Sequence, residues 1–194
     1  MAREAATLLY FGAEKEYKQA KERAAKALGT HFLPTNLDVA LELDKVAEEN
    51  EGSKRIGRLI EMRKEALAIM KHLERFRPVL IGSVWRGTIR EGSDIDIAVY
   101  ADETQEVLNA LKGVGLKIFK TAWTTVNKQG VTLASFHVHT ETAAKHGLEI
   151  VVRSSEEAGK KRRCETFGDE MKGLKTQELE KLLKDNPTQK FIPD

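Results

Sequence analysis

The chain has 194 residues, of which 41% are hydrophobic, and 32 basic residues nearly balance 30 acidic ones for a formal net charge of +2. The length and apolar fraction suit one substantial globular domain, or one domain with a small appendage. The near-neutral total excludes recognition of a polyanion by global charge, so any nucleic-acid contact has to come from local patches.

Cysteine content and hydropathy bear on the compartment. The single cysteine, Cys164, excludes an internal disulfide and a multi-cysteine zinc site, which suits a reducing environment. The first residues have too short an apolar segment for a signal peptide, and no run approaches the ~18 apolar residues of a membrane span. The sequence therefore predicts a cytoplasmic protein with no membrane partner.

Helical patterns dominate the N-terminal third. Residues 14–29 are strong helix formers that end in a glycine, and residues 35–52 predict a second helix with Thr35 or Asn36 as its N-cap. Residues 54–76 predict a third, longer helix that ends just before a proline. Its apolar side chains at roughly helical spacing are Ile56, Leu59, Ile60, Leu67, Met70 and Leu73.

The sequence period changes after residue 77. The segments that predict strands are residues 78–84, 93–100, 116–127, 131–142 and 146–153. Helices are predicted at residues 102–115 and 175–185. This order predicts an α+β (mixed α/β) core with a mixed sheet flanked by helices in residues 78–194, preceded by an N-terminal helical region in residues 1–77.

Two aspartates interrupt the apolar strand pattern of the segment SDIDIAVY. Residues i and i+2 of a strand share a face about 6.5 Å apart, so Asp94 and Asp96 point the same way while their aliphatic neighbours face the core. Two ionised carboxylates at that separation repel each other unless a cation neutralises them. Their hard oxygen atoms suit Mg²⁺ or Mn²⁺ rather than zinc, and a two-metal site serves phosphoryl transfer.

A Gly-Ser pair, ten residues before the first aspartate, supplies a candidate phosphate-binding loop. Gly82 has no Cβ and lets backbone N–H groups approach a phosphate, and Ser83 adds a hydroxyl donor. Arg86 carries a guanidinium fork that suits phosphate oxygens. Either half alone is compatible with a simple turn or a solvated strand face, but the two in this order favour a nucleotide site.

A third carboxylate is expected, because one metal must also hold and help deprotonate the acceptor hydroxyl. Glu149 is the best candidate, since it lies between aliphatic neighbours on a predicted strand. The alternative is an exposed strand face on which Glu149 and Arg153 point outward. Glu141 and Asp102 are weaker candidates, because both lie at turns.

One segment resembles the signature of the DNA polymerase β-like nucleotidyltransferase superfamily. It consists of Gly82-Ser83, ten intervening residues and Asp94-Ile95-Asp96-Ile97. The form GSVWRGT followed by SDIDI is especially similar to the catalytic heads of archaeal-type (class I) CCA-adding enzymes, and it also resembles the minimal nucleotidyltransferases. The match covers about 20 residues, with a looser similarity in element order out to Glu149.

The resemblance implies a mixed sheet flanked by helices, and transfer of a nucleoside monophosphate from an NTP with release of pyrophosphate. By position it implies that the pair Gly82-Ser83 and Arg86 bind the triphosphate. It also implies that Asp94 and Asp96 hold both metals, while Glu149 holds the catalytic metal and assists the acceptor hydroxyl. The third acid is Glu where Asp is common, and the chain lacks the length for the additional domains that grip tRNA, so the acceptor stays open.

Several other residues have a structural interpretation beside a functional one. His137 and His139 share a strand face and could bind a metal, but without a third His or Cys nearby ordinary strand histidines are favoured. The basic run at residues 160–163 could bind an RNA backbone or a triphosphate, but a solvated loop is the favoured interpretation. Trp85 and Trp123 could each stack on a base, but packing in the core or in a loop is favoured for both.

The sequence thus predicts a two-metal nucleotidyltransferase whose acceptor is an RNA end, a protein hydroxyl or a small molecule, and the basic tail favours RNA. The alternative is a non-catalytic nucleotide- or RNA-binding module, an antitoxin-like partner protein whose helical third is the working surface. Phosphoester hydrolysis by the same metals is a weaker alternative. Apolar stripes on the N-terminal helices are compatible with a homodimer.

Overall fold

Residues 1–128 and 131–193, which the computed structural model describes, form seven α-helices and six β-strands. The helices are α1 (Ala2–Tyr10), α2 (Tyr17–Ala27), α3 (Asn36–Glu51), α4 (Ser53–His72), α5 (Gly82–Arg86), α6 (Thr104–Gly113) and α7 (Thr176–Asp185). The strands are β1 (Val79–Ile81), β2 (Ile95–Tyr100), β3 (Lys120–Lys128), β4 (Val131–Glu141), β5 (Gly147–Arg153) and β6 (Leu174–Lys175). No helix of the described residues is long and apolar enough to cross a membrane.

All six strands belong to one sheet with the order β3-β4-β5-β2-β1-β6. Strands β2 and β5 run parallel, and the other neighbours are antiparallel. The predicted α+β class with a mixed sheet flanked by helices is therefore confirmed. Because β2 and β5 lie side by side at the centre, residues far apart in sequence meet there.

The sheet has an inner face and an open face. The inner face carries the aliphatic residues of β2 and β5, and these are buried against α4, α6 and α7 in the main hydrophobic core. The buried strand residues of this core are Leu80, Ile95, Ile97, Val99, Phe136, Val138, Leu148, Ile150, Val152 and Leu174. The open face carries the alternate residues, including Asp96 and Glu149.

The N-terminal helices form a second, smaller core. Small residues of α1 and α2 such as Ala6 and Ala24 pack with Val39 and Val46 of α3. Thr35 is the N-cap of α3 and forms a capping box with Asp38, which confirms one of the two predicted caps. Helix α1 was not predicted as a separate helix, because the first predicted helix begins at residue 14.

Helix α4 connects the N-terminal region to the sheet. Leu59, Met70 and Leu73 are buried in the main core, as their spacing predicted, but Ile56 is 51% exposed and does not belong to it. The helix ends at His72 rather than near residue 76, because residues 74–76 form a 3-10 turn. The division of the chain at residue 77 stays a prediction, and α4 shares its core with the sheet.

The predicted strand at residues 78–84 is shorter than expected. Only Val79–Ile81 are extended, and the chain enters α5 at Gly82, whose φ of +71° ends the strand. The later predicted strands and both predicted C-terminal helices are present, with ends shifted by a few residues. The two-residue strand β6 was not predicted.

Residues 158–173 form a hairpin that lies over part of the open face. Its two arms are paired through a bridge between Arg163 and Glu170 and a hydrogen bond from the N–H of Met171 to the carbonyl of Arg162. The base of this 158–173 hairpin lines a cavity together with residues of β1, β2 and β5. Its tip lines a second cavity beside Gly82.

Candidate active site

A row of polar residues crosses the open face of the sheet. Asp96 of β2 lies opposite Glu149 of β5, and Glu149 lies opposite His139 of β4, which in turn pairs with Lys120 of β3. Directly paired residues of neighbouring strands project from the same face. On the other side Asp96 pairs with Ile81, the last residue before the Gly-Ser pair. The register therefore brings three of the predicted site segments together.

The side chain of Asp96 packs directly against Gly82. A Cβ atom at Gly82 would lie 1.9 Å from Oδ2 of Asp96, and the glycine also has a φ of +71°. Asp94 has the same relation to Gly147, where a Cβ would lie 2.0 Å from its Oδ1. Each carboxylate thus occupies space that a glycine leaves open, so the acidic strand and the Gly-Ser loop form one site.

Burial and mutual repulsion perturb both aspartates. Burial raises the pKa of Asp96 to about 8, with further contributions from the negative charges of Glu149 and Asp94 and a hydrogen bond to Glu149. The pKa of Asp94 is also raised, first by burial and then by the charge of Glu149, while His139 opposes the shift. Such a cluster stores negative charge that only protons or cations can neutralise.

Glu149 is oriented by a short chain of hydrogen bonds. Nδ1 of His137 lies 2.6 Å from Oε1 of Glu149, and Nε2 of the same ring lies 2.8 Å from Oγ of Ser135. Nε2 of His139 is 3.8 Å from the same carboxylate oxygen. The two histidines are strand residues, as the sequence predicted, but His137 has an additional role because it fixes the rotamer of Glu149.

The donor chemistry of this cluster fits a divalent cation. Asp94, Asp96 and Glu149 offer hard carboxylate oxygens from one face of the sheet, and their mutual repulsion is the charge that Mg²⁺ or Mn²⁺ neutralises. Among the described residues, however, no group of three or more His, Cys, Asp or Glu side chains already converges in a geometry that holds a metal. The oxygens have to rotate toward an incoming cation, since one oxygen of Glu149 is bound to His137.

A cavity of about 320 Å³ opens beside the Gly-Ser pair, a volume within the range of small-ligand sites. Gly82 and Ser83 line it together with Lys15 and Arg90. Neither cation has a carboxylate within 4.0 Å among residues 1–128 and 131–193. The cavity therefore combines a hydroxyl group with two unpaired cations, a combination that suits phosphate oxygens.

The N-terminal region and the 158–173 hairpin close this cavity. Tyr17 of α2 and Phe167 of the hairpin tip both line it, and burial raises the pKa of the Tyr17 hydroxyl while Arg90 opposes the shift. The acid in its wall, Asp44, is bound by Arg55 and Lys190. Sequence patterns could not place Lys15 or Tyr17 here, because they lie more than sixty residues before the motif.

Arg86 is held by protein contacts. Its guanidinium forms a two-pronged ion pair with Asp169, at 2.6 and 3.1 Å, and donates to the carbonyl of Phe191. It also stacks on the rings of Trp85 and Phe167. Trp85 itself is buried in the main core and stacks on Phe191.

Helix α5 is fixed from below by Arg63, which is completely buried. Its guanidinium donates to the carbonyls of Val84 and Trp85 and to those of Pro187 and Gln189 in the C-terminal segment. Burial lowers the pKa of this arginine to about 10. One side chain thus secures the loop that carries Ser83, and no sequence pattern marked it.

The weaker sequence candidates lie outside the acidic cluster. Glu141 is paired with Lys145, and Asp102 accepts hydrogen bonds from Ser154 and Ser155. Trp123 is 64% exposed and contacts Phe136 through its ring. Gly147 is a further residue that the sequence did not single out, and its missing Cβ makes room for Asp94.

A mixed sheet with a Gly-Ser turn packed against a strand carboxylate is the arrangement expected of the polymerase β-like nucleotidyltransferase superfamily. The sequence model of the nucleotidyltransferase domain family matches residues 63–185, which is more than half of the chain. The chain belongs to this family. The matched region begins inside α4 and ends with α7. No curated protein matches the sequence.

Three solved structures match part of this chain. A cytoplasmic RNA terminal U-transferase is 18% identical, with a TM-score of 0.37 over 56% of this chain and 34% of that one. The Cid1 poly(U) polymerase bound to MgGTP is 18% identical, with a TM-score of 0.35 over 57% and 38%. The GLD-2/RNP-8 complex is 13% identical, with a TM-score of 0.28 over 54% of this chain and 42% of that one. This chain therefore spans about a third to two fifths of their lengths, and the family assignment rests on the sequence match.

Proposed function

We propose that the protein transfers a nucleoside monophosphate from an NTP to an acceptor hydroxyl and releases pyrophosphate. The observation that carries this proposal is the contact between Gly82 and the Asp96 carboxylate. In this proposal the Gly-Ser turn binds phosphate and Asp96 binds a cation, and their contact supports both roles, because attack on a bound α-phosphate requires the two groups side by side. A protein that merely bound nucleotides would have no need for the repulsion stored between Asp96 and Glu149.

In this proposal the triphosphate lies in the cavity beside Gly82. The Ser83 hydroxyl donates to a phosphate oxygen, and Lys15 and Arg90 supply the unpaired positive charges. Arg86 is part of the proposed nucleotide site as well, but its guanidinium reaches a phosphate only by exchanging Asp169 for it. Lys15 and Arg90 therefore make the first charged contacts with the nucleotide.

Asp94, Asp96 and Glu149 are the proposed catalytic and metal-binding residues. Mg²⁺ or Mn²⁺ bound by them would polarise the phosphoryl oxygens and lower the pKa of the acceptor hydroxyl. Glu149 accepts the proton of that hydroxyl on the oxygen that His137 leaves free. The acceptor oxygen then bonds to the α-phosphorus while the bond to the bridging oxygen breaks, and pyrophosphate departs.

Labelled nucleotides test the proposal and identify the acceptor class. Each α-labelled NTP is supplied with Mg²⁺ to total RNA, whole-cell protein or a metabolite extract, and label is expected in one of the three pools. Asp94→Asn and Asp96→Asn should reduce incorporation at least about a hundredfold, whereas the surface control Asp102→Asn should not. Full incorporation by either site variant would contradict the proposed roles.

A binding module without turnover is the second candidate. It is favoured by the exposed apolar side chains of the N-terminal region, which a partner or a second copy could cover. These side chains are Phe11, Leu28, Phe32 and Leu33. Titration with Mg²⁺ separates the two candidates, because only the enzyme requires NTP binding that depends on Mg²⁺ and is lost in Asp96→Asn.

A further inference from the structure

A second and larger cavity lies on the same open face of the sheet. Its volume is about 630 Å³, and its floor includes Ile81 of β1, Tyr100 of β2 and Arg153 of β5. Ile81 pairs with Asp96, so the cavity begins beside the carboxylates. Tyr100 lies four residues further along β2, which corresponds to about 13 Å. The cavity thus lies on the same face as the proposed reaction centre, further along β2 and β5.

The walls of this cavity are rich in unpaired cations. Lys161 and Arg162 are neutralised by Glu170 and Glu157. Five other basic side chains have no carboxylate within 4.0 Å in the part of the chain that the structure describes. These are Arg77, Arg153, Lys160, Lys172 and Lys175.

The acids in the same walls already have partners. Glu170 is bound by Lys161, Glu178 accepts the backbone N–H of Lys175, and Glu74 accepts the hydroxyl of Thr176. Glu74 and Glu178 keep their negative charges, but the walls carry seven basic side chains against three acidic ones, so a net positive charge remains. A cavity of this kind suits a ligand with more than one negative charge.

Arg153 shows the imbalance most clearly. It is half-buried on β5, where burial and then the positive charge of Arg162 lower its pKa, opposed by a hydrogen bond to Tyr100 and the charge of Glu157. Arg153 points to the same face as Glu149, because the two are four residues apart on one strand. A planar guanidinium in this position is suited to a phosphate.

We infer that this basic cavity binds the phosphodiester backbone of an oligonucleotide acceptor whose terminal hydroxyl reaches the carboxylates. The inference rests on the proposed function and names its acceptor class. About 13 Å along β2 accommodates roughly four stacked nucleotides at ~3.4 Å each. The 158–173 hairpin forms the opposite wall, so the basic run at residues 160–163 borders the acceptor rather than open solvent alone.

Fluorescence anisotropy with a labelled RNA octamer tests this assignment. The full chain carries Asp96→Asn throughout, so that no turnover occurs, and is compared with the same protein bearing Lys160→Gln and Lys172→Gln. Both lysines are exposed, and this pair leaves the sheet intact. The expected result is about tenfold weaker binding and a plot of log affinity against log salt that is less steep by about 1.4, as for two lost phosphate contacts.

A matched pair on the other side of the sheet controls for net charge. Lys64→Gln with Lys112→Gln removes the same charge from exposed positions of α4 and α6, which pack on the inner face. This pair should leave affinity and salt dependence unchanged. Arg153→Gln alone should weaken the octamer at least as much as the lysine pair does. Equal octamer affinity of the Asp96→Asn parent, the Lys160→Gln and Lys172→Gln pair, and the Arg153→Gln protein overturns the proposal.

Three further measurements keep the alternatives apart. A DNA octamer shows whether the backbone alone or also the 2′-hydroxyl is recognised, and inorganic triphosphate that competes as strongly as the octamer would overturn the strand assignment. In the protein with Asp96 unmutated, the lysine pair should lower label transfer to the octamer about tenfold at limiting octamer concentration, in parallel with the loss of octamer affinity. Absence of transfer to every acceptor, with lysine-dependent octamer binding, would count against the proposed function and not against this cavity.

Discussion

The two faces of strands β2 and β5 follow opposite rules, although their residues alternate along the same backbone. On the inner face Ile95, Ile97 and Ile150 are fully buried in the main hydrophobic core. On the open face Asp96 and Glu149 are crowded together, and burial with mutual repulsion raises the pKa of Asp96 to about 8. The inner face stabilises the fold, and the open face consumes part of that stability to keep carboxylates close together, as the proposed function requires.

The largest expected effect on stability comes from the inner face. Ile97→Ala removes a fully buried side chain from the centre of the core and should lower the free energy of unfolding by about 2–5 kcal/mol. Ile56→Ala is the matched control, because this isoleucine of α4 is 51% exposed and should change the free energy by less than about 0.5 kcal/mol. Urea unfolding measures both, and similar losses would contradict the assignment of the core.

A smaller loss of stability is expected where the two faces meet, at the Gly-Ser turn. Gly82→Ala places a Cβ 1.9 Å from Oδ2 of Asp96 at a φ of +71°, and should cost about 2–3 kcal/mol and abolish transfer. Gly92→Ala has a similar φ of +76° with open space around the new Cβ, so it measures the backbone strain alone. If the two variants unfold at the same urea concentration and retain the same activity, the contact with Asp96 has no importance.

Much of the inner face could be predicted from sequence. Alternation identified β2 and β5, and helical spacing identified Leu59, Met70 and Leu73, because burial leaves a periodic signal along a single element. Ile56 was assigned to the same stripe but is exposed, since the helix turns this side to solvent near its start. The end of the strand at Gly82 was also missed, because one positive φ has no periodicity.

The acidic cluster was predicted only in part, and the reason is register. Asp94 and Asp96 lie in one strand, so their shared face follows from geometry, and Glu149 followed from its aliphatic neighbours. The pairing of Asp96 with Glu149 depends on two strands that are about fifty residues apart. Lys15 and Arg153 could not be assigned, because only the folded chain shows which cavity a surface cation lines.

An increase in stability is expected when the charge of Asp96 is removed. The pKa of Asp96 is about 8 in the folded chain against 3.8 for a free carboxyl, so this group favours folding while it holds its proton. Its contribution is complete below about pH 4 and is lost as the pH rises through about 8. Asp96→Asn should therefore gain at least about 1 kcal/mol at pH 8 in EDTA, or roughly 2–4 °C in Tm.

The effect of Mg²⁺ on thermal stability should distinguish the unmutated protein from Asp96→Asn. Mg²⁺ should raise the Tm of the unmutated protein at pH 8 and leave Asp96→Asn almost unchanged, because the variant lacks the charge that the cation neutralises. Thermal unfolding between pH 5 and pH 9, with and without Mg²⁺, records both effects. A stability of the unmutated protein that stays flat over this range would show that Asp96 ionises normally in the fold.

The smallest effect on stability, with a distinct effect on function, is expected at His137. Nδ1 of His137 lies 2.6 Å from Oε1 of Glu149 and holds that carboxylate toward Asp96. His137→Leu should change the free energy of unfolding by less than about 1 kcal/mol but weaken Mg²⁺-dependent transfer about 10–100-fold, as for other residues that orient metal ligands. His137→Asn keeps an N–H donor near the Nδ1 position and should recover most of the loss, mainly as a lower Mg²⁺ requirement. Equal transfer rates of His137→Leu and His137→Asn at every Mg²⁺ concentration would contradict this role of the imidazole. The rotamer of Glu149 would then be set by its neighbours on β2 and β5.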